Sequence, residues 1–88
     1  MTWSVNVEDP AAKALRRLDS TVQARIKAFL RERIATPENP RRLGEPLAGP
    51  LSAFWRYWVG DYRLLCRIED DQVVVLVVGI AHRREVYR

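Results

Sequence analysis

The last seven residues of this chain, His82-Arg83-Arg84-Glu85-Val86-Tyr87-Arg88, set three arginines, an imidazole and a phenol side by side. Those are the parts required to cut RNA without a metal. A base removes the ribose 2′ proton and the 2′-oxygen attacks the adjacent phosphate. Cations stabilise the charge gathering on phosphorus, and an acid protonates the departing 5′-oxygen. His82 is chemically the easier acid or base, since an imidazole ordinarily changes charge near ~6.5. A phenol does so near ~10. A solvated basic tail is the plain alternative.

A second constellation lies upstream. Residues 54–59 and 62–69 are aromatic and β-branched runs separated by Gly60-Asp61, a plausible two-residue hairpin turn. That turn pairs Trp58 with Arg63, Tyr57 with Leu64 and Arg56 with Leu65. Because strand side chains alternate between faces, Trp55, Tyr57, Val59, Tyr62, Leu64, Cys66 and Ile68 share one side, a core. Phe54, Arg56, Trp58, Arg63, Leu65 and Arg67 share the other. Arginines interleaved with rings on one face form a nucleic-acid pattern, guanidiniums for phosphates and rings for stacking. Arginine stems covering apolar area on an open sheet would look the same. Beyond a second turn at Asp70-Asp71, a strand over 72–80 should send Val73, Val75 and Val77 to the core. Val74, Leu76 and Val78 then form an apolar strip beside the arginines, which wants a cover, either the C-terminal tail folded back or a protein partner.

Several elements must hold these residues in place. Trp3, Val5 and Val7 alternate with polar neighbours as in a half-buried strand. Asp9 as N-cap followed by Pro10 opens a helix whose stripe is Ala11, Ala14, Leu15 and Leu18. Ser20 and Gln23 make a capping box for a second helix carrying Val22, Ile26, Phe29, Leu30 and Ile34. Residues 36–50 hold four of the five prolines and read as one irregular crossing, pinned by Leu43 and Leu47. The order β-α-α-β-β-β gives an α+β fold, an antiparallel sheet with a helical hairpin on one face.

Composition sets the limits. The chain has 88 residues, 48% hydrophobic and 30% charged, enough for a single domain over 1–88 with one two-layer core. Separate cofactor and substrate lobes are excluded. The net charge is +4 and thirteen of the fifteen cations are arginine, whose planar fork matches phosphate oxygens in pairs. One cysteine, Cys66, and one histidine make a disulfide or a metal site of ordinary ligand count improbable, so no metal or cofactor is expected. The longest apolar run, 73–80, is far short of the ~20 residues of a membrane helix. With no secretory leader evident, a cytoplasmic protein with no membrane contact is expected.

The segments Trp55-Arg56-Tyr57, Val59-Gly60-Asp61-Tyr62-Arg63-Leu64 and 82–88, with Leu43-Gly44 and Leu47-Ala48-Gly49, resemble the RelE group of the RelE/ParE toxin superfamily. That resemblance implies a RelE-like, microbial-RNase-like fold and a toxin of a type II toxin–antitoxin pair. Such toxins enter the ribosomal A site and cut the mRNA there without a metal. It makes Tyr87 the candidate base, Arg63 and Arg83 holders of the scissile phosphate, and Arg56 a support for charge near the nucleophile. His82 stays a second acid–base candidate, and Trp58, Arg67, Arg84 and Arg88 are candidates for holding RNA. The implied partners are the ribosome with its mRNA and a RelB-like antitoxin with apolar and acidic wrapping segments. Operator DNA would be reached only through that antitoxin. Two positions depart from the pattern: Trp58 where relatives commonly have a second cation, and Gly79 where they often carry a polar or basic residue. Losing one cation at a phosphate costs about 2–4 kcal/mol of transition-state stabilisation. The alternatives are a ParE-like inhibitor that binds DNA gyrase and cuts nothing, or a weakly active toxin serving mainly in autorepression with its antitoxin.

Overall fold

A computed structural model describes residues 1–85 of the chain. The elements run β1 (Ser4–Val7), α1 (Asp9–Arg16), α2 (Ser20–Phe29), β2 (Glu45–Pro46), β3 (Phe54–Val59), β4 (Tyr62–Glu69) and β5 (Val74–His82). The strands form one sheet in the order β1-β5-β4-β3-β2, and the architecture is the α+β class expected. From β2 to β5 neighbours are antiparallel, but β1 lies parallel to β5, Ser4 beside Val74 through Val7 beside Val77. Parallel neighbours require a long crossover, which the helical hairpin and the three intervening strands supply.

The helices cover one face of the sheet. Ala11, Leu15, Ile26, Leu30 and Ile34 pack there on Tyr57, Val59, Leu64, Cys66, Val75, Val77 and Ile80. Helix starts fall within a residue of those expected. Glu8, not Asp9, is the extended N-cap of α1, which leaves Asp9 in the first turn where its charge suits the helix dipole. Asp19, not Ser20, caps α2: its carboxylate accepts the Thr21 N–H at 3.3 Å, while Gln23 Nε2 donates to the Leu18 carbonyl at 2.8 Å. The chain then widens into a π-turn at Leu30–Ile34, closed by the Ala35 N–H on the Leu30 carbonyl. The wider turn brings Ile34 back onto the stripe of Ile26 and Leu30, so all three are buried.

The crossing segment is more ordered than its prolines suggest. It contains a 3-10 turn at Pro40–Leu43, the short strand β2 and a second 3-10 turn at Gly49–Leu51. Tyr57 anchors it from below, its hydroxyl donating to the Pro40 carbonyl at 2.8 Å. Arg41 clamps Asp70 through both carboxylate oxygens, at 3.0 and 2.7 Å, and its guanidinium stands 5.7 Å from the Trp55 ring centre. Among the described residues no helix is long and apolar enough to cross a membrane.

Two departures reshape the far side of the sheet. The expected two-residue turn at Asp70-Asp71 is a four-residue loop, because Glu69 faces Val74. Val73 closes that loop in the left-handed region, φ 53°, its N–H donating to the Asp70 carbonyl at 3.1 Å. The ladder also slips between Leu65 and Cys66, which face Gly79 and Val77, leaving Val78 as the extra residue. Strict alternation from Val77 would send Ile80 and His82 to the arginine side. The bulge reverses that, so Ile80 is buried in the core and His82 faces Tyr62. Val74 and Leu76, which precede the bulge, keep the side the sequence predicts, but the expected strip is less exposed than its apolar pattern suggests. Val74 is buried, and Leu76 and Val78 are half-buried. Facing Val74 and Leu76 are Glu69 and Arg67, paired at 2.8 Å, with aliphatic stems suited to covering apolar area.

Candidate nucleic-acid interface

The hairpin turn sets the register of the open face. Gly60 takes φ 58° and is the only one of the two turn residues at positive φ, the pattern of a type II′ turn. Trp58 consequently faces Arg63, Arg56 faces Leu65 and Phe54 faces Arg67, as the sequence predicts. Arg56, Trp58, Arg63 and Arg67 all project from the side of the sheet that the helices leave open. Trp58 is 43% exposed, and the Arg56 guanidinium carbon lies 5.9 Å from its ring centre. Arg63 and Arg67 stand about 13 Å apart along one strand at the usual rise.

Each arginine is held differently. Arg56 Nη2 reaches Glu45 Oε1 at 3.4 Å, and its Nε is buried with no hydrogen-bond acceptor among the described residues. Arg67 is paired with Glu69. Arg63 Nη2 donates to the Glu85 main-chain carbonyl at 3.2 Å, which ties the open face to the turn after β5. Arg83 joins the hairpin tip: its N–H donates to the Asp61 carbonyl at 2.8 Å and its Nη1 lies 3.6 Å from Asp61 Oδ1. Arg84 is exposed. Arg63 thus reaches the turn after β5 and Arg83 reaches the hairpin tip, at the end of the sheet where the β3–β4 turn and the tail converge.

His82 does not join them. Its imidazole stands edge-on to Tyr62, ring centres 5.2 Å apart, on the helix side. There it lines a cavity of about 190 Å³ with Ala14 of α1, with Arg17 and Leu18 just beyond that helix and with Glu85. Tyr87 and Arg88 lie outside the described residues. Two other titratable groups under the site are locked away. Burial pushes the Cys66 thiol up to about 12, and burial, then the neighbouring Cys66, raises the Tyr57 phenol above its ordinary range. The described part of the open face thus offers cations and a ring, suited to gripping phosphates and stacking a base.

Glu45, Asp61 and Glu85 are site residues that sequence reasoning missed. Glu45 sits on a strand hidden among prolines. Asp61 belongs to the recognised turn, but nothing in the sequence links it to Arg83. Glu85 could have been suspected from its spacing of three from His82.

A family model described as the ParE toxin of the type II toxin–antitoxin system parDE matches residues 5–87. Toxin RelG of Mycobacterium tuberculosis is 30% identical over 88 residues, covering 100% of this chain and 99% of its own. Toxin RelE of the same organism is 33% identical over 86 residues, 98% of this chain and 87% of its own. The crystal structure of the toxin–antitoxin complex RelBE2 from that organism superposes with a TM-score of 0.86 at 27% identity, over 97% of this chain and 95% of the other.

Proposed function

This chain belongs to the ParE toxin family of type II toxin–antitoxin systems, and from that premise we propose that it is a RelE-type toxin, a ribosome-dependent, metal-independent mRNA endonuclease that halts translation in the cytoplasm. The observation that carries the reading is the open face on which Arg56, Trp58 and Arg63 stand together, with the tail arginine Arg83 brought to its end. The names of the two curated relatives support the same choice within the family.

In the proposed reaction the bond from the ribose 2′-oxygen to phosphorus forms and the bond from phosphorus to the 5′-oxygen breaks. The 2′ proton passes to a base and a second proton reaches the leaving oxygen, giving a 2′,3′-cyclic phosphate and a 5′-hydroxyl. Arg63 and Arg83 hold the phosphate oxygens whose charge grows in the transition state, worth about 2–4 kcal/mol for each donor. Arg56 supports the charge near the nucleophile, and Trp58 stacks a neighbouring base in place of a second cation. Tyr87 is the proposed base, its phenolate stabilised by these arginines. Arg67, Arg84 and Arg88 contribute to binding RNA outside the reacting linkage.

The proposed partners are the ribosome with its mRNA and a cognate antitoxin, the latter supported by the similarity to a toxin solved in complex with its antitoxin. Operator DNA would be reached through that antitoxin. A second reading, inhibition of DNA gyrase by contact, is favoured by the description of the matching family model and by Trp58 standing where a cation is expected. Purified protein mixed with programmed ribosomes separates the two. mRNA cut to 5′-hydroxyl ends supports the nuclease, and intact mRNA with inhibited supercoiling supports the gyrase binder.

A further inference from the structure

The imidazole of His82 has a use that its position away from the arginines makes visible. Its Nδ1 accepts the main-chain N–H of Arg84 at 3.1 Å, two residues on. That is the geometry in which an asparagine side chain closes a turn on its own backbone. The same turn is closed twice more, by the Glu85 N–H on the His82 carbonyl at 2.8 Å and by the His82 N–H on Glu85 Oε1 at 2.9 Å. Its last carbonyl is the one that receives the Arg63 guanidinium. A chain of contacts therefore runs from an imidazole on the helix side, through the turn at 82–85, to an arginine on the open face.

We propose that His82 is a positioning residue, which fixes the tail turn through Arg84 and thereby sets Arg63 and Arg83 for RNA. The bond requires Nδ1 without a proton, so the neutral imidazole bearing its hydrogen on Nε2 is the form that holds the turn. Protonating Nδ1 turns an acceptor into a donor facing an N–H. Gaining that proton therefore releases the hook. Among the described residues, the charged or titratable groups around the ring are Arg17 at the end of α1, Tyr62 from β4, and Arg83, Arg84 and Glu85 from its own segment. Its consequence for cleavage rests on the nuclease reading; the hook itself does not.

The test follows the Arg84 amide by ¹⁵N NMR in the full-length protein between pH 5 and 8, with ribosome-dependent cleavage measured in parallel. In the wild type, Arg84 amide protection falls about fivefold as the imidazole gains its proton, the change for losing one ordinary hydrogen bond. Cleavage falls with the same midpoint. In His82→Asn, whose carbonyl oxygen accepts without titrating, the inflection disappears from both readouts. In His82→Leu, protection is low at every pH, while the amides of Leu64 and Val75 in the core stay protected and report an intact fold. An Arg84 amide that ignores the His82 titration, or stays protected in His82→Leu, overturns the inference. So does His82→Asn losing cleavage while Arg84 stays protected, which would make the imidazole a proton carrier. If the wild type cuts no mRNA at any pH yet the amide tracks the imidazole, the nuclease reading fails and the hook stands.

Discussion

Gly44→Ala perturbs the site from beneath without replacing an arginine. Gly44 is extended, φ −118°, so alanine fits its backbone and any cost is steric. A Cβ there would lie 2.9 Å from Tyr57 Cε1, 3.1 Å from Tyr57 Cζ and 3.1 Å from the Arg56 carbonyl oxygen. Carbon atoms rest comfortably at about 3.5–4.0 Å, so a displacement of more than half an ångström is demanded. Tyr57 cannot supply it readily: it is fully buried, its hydroxyl is bonded to Pro40, and its ring meets Phe29 edge-on at 5.9 Å. Overpacking of this kind costs about 1–3 kcal/mol. Loss of glycine's unfolded-state freedom returns about 0.4–1 kcal/mol. The net destabilisation is between about 0 and 2.6 kcal/mol, with a fall in melting temperature of roughly 4–8 °C per kcal/mol for a domain of this size. Urea unfolding of Gly44→Ala measures it. In a Tyr57→Leu background, which removes both clashing ring atoms and leaves only the approach to the Arg56 carbonyl, the same substitution should cost clearly less. An equal cost in both backgrounds would refute the steric reasoning.

Val73→Asn should stabilise the protein by about 1 kcal/mol in thermal melts, because a β-branched residue is poorly suited to φ 53° and asparagine tolerates it. Glu45→Gln removes the carboxylate that competes for Arg56, so a fluorescent single-stranded RNA should bind about two- to fivefold tighter, with a steeper salt dependence. The Arg41 guanidinium holds the Asp70 carboxyl below its ordinary value of 3.8, so the pair stabilises the fold above that pH. The contribution is lost as pH falls below 3.8 through the depressed folded value, and Asp70→Asn should flatten that acid limb in a pH series of melts.

Local signals carried the hairpin at the centre of the site. Gly60-Asp61 specifies a two-residue turn, the turn specifies the register, and the register places Arg56, Trp58, Arg63 and Arg67 on one face. What stayed hidden depends on contacts distant in sequence. Nothing local distinguishes a parallel β1 from an antiparallel one. The bulge at Val78 lies within a valine-rich run in which every register looks equally apolar, yet it decides that His82 faces α1 and not the arginines. Asp70-Asp71 looked like a tight turn, but Val73 accepts an unfavourable backbone to extend the loop. The apolar strip kept its side up to the bulge, but its low exposure, beside the Arg67–Glu69 pair that faces it, depends on cross-strand packing that alternation does not show.

The central claim is that Arg63 and Arg83 act together on an RNA phosphate. Its most direct test is a single-turnover assay of mRNA cleavage on programmed ribosomes, comparing the wild type with the Arg63→Ala, Arg83→Ala variant and mapping the new 5′ ends. The account predicts 5′-hydroxyl products from the wild type and a rate lower by at least about 10²-fold in a variant that keeps its fold. Cleavage at the wild-type rate in that variant, or ribosomes carrying intact mRNA beside active wild-type toxin, would contradict it.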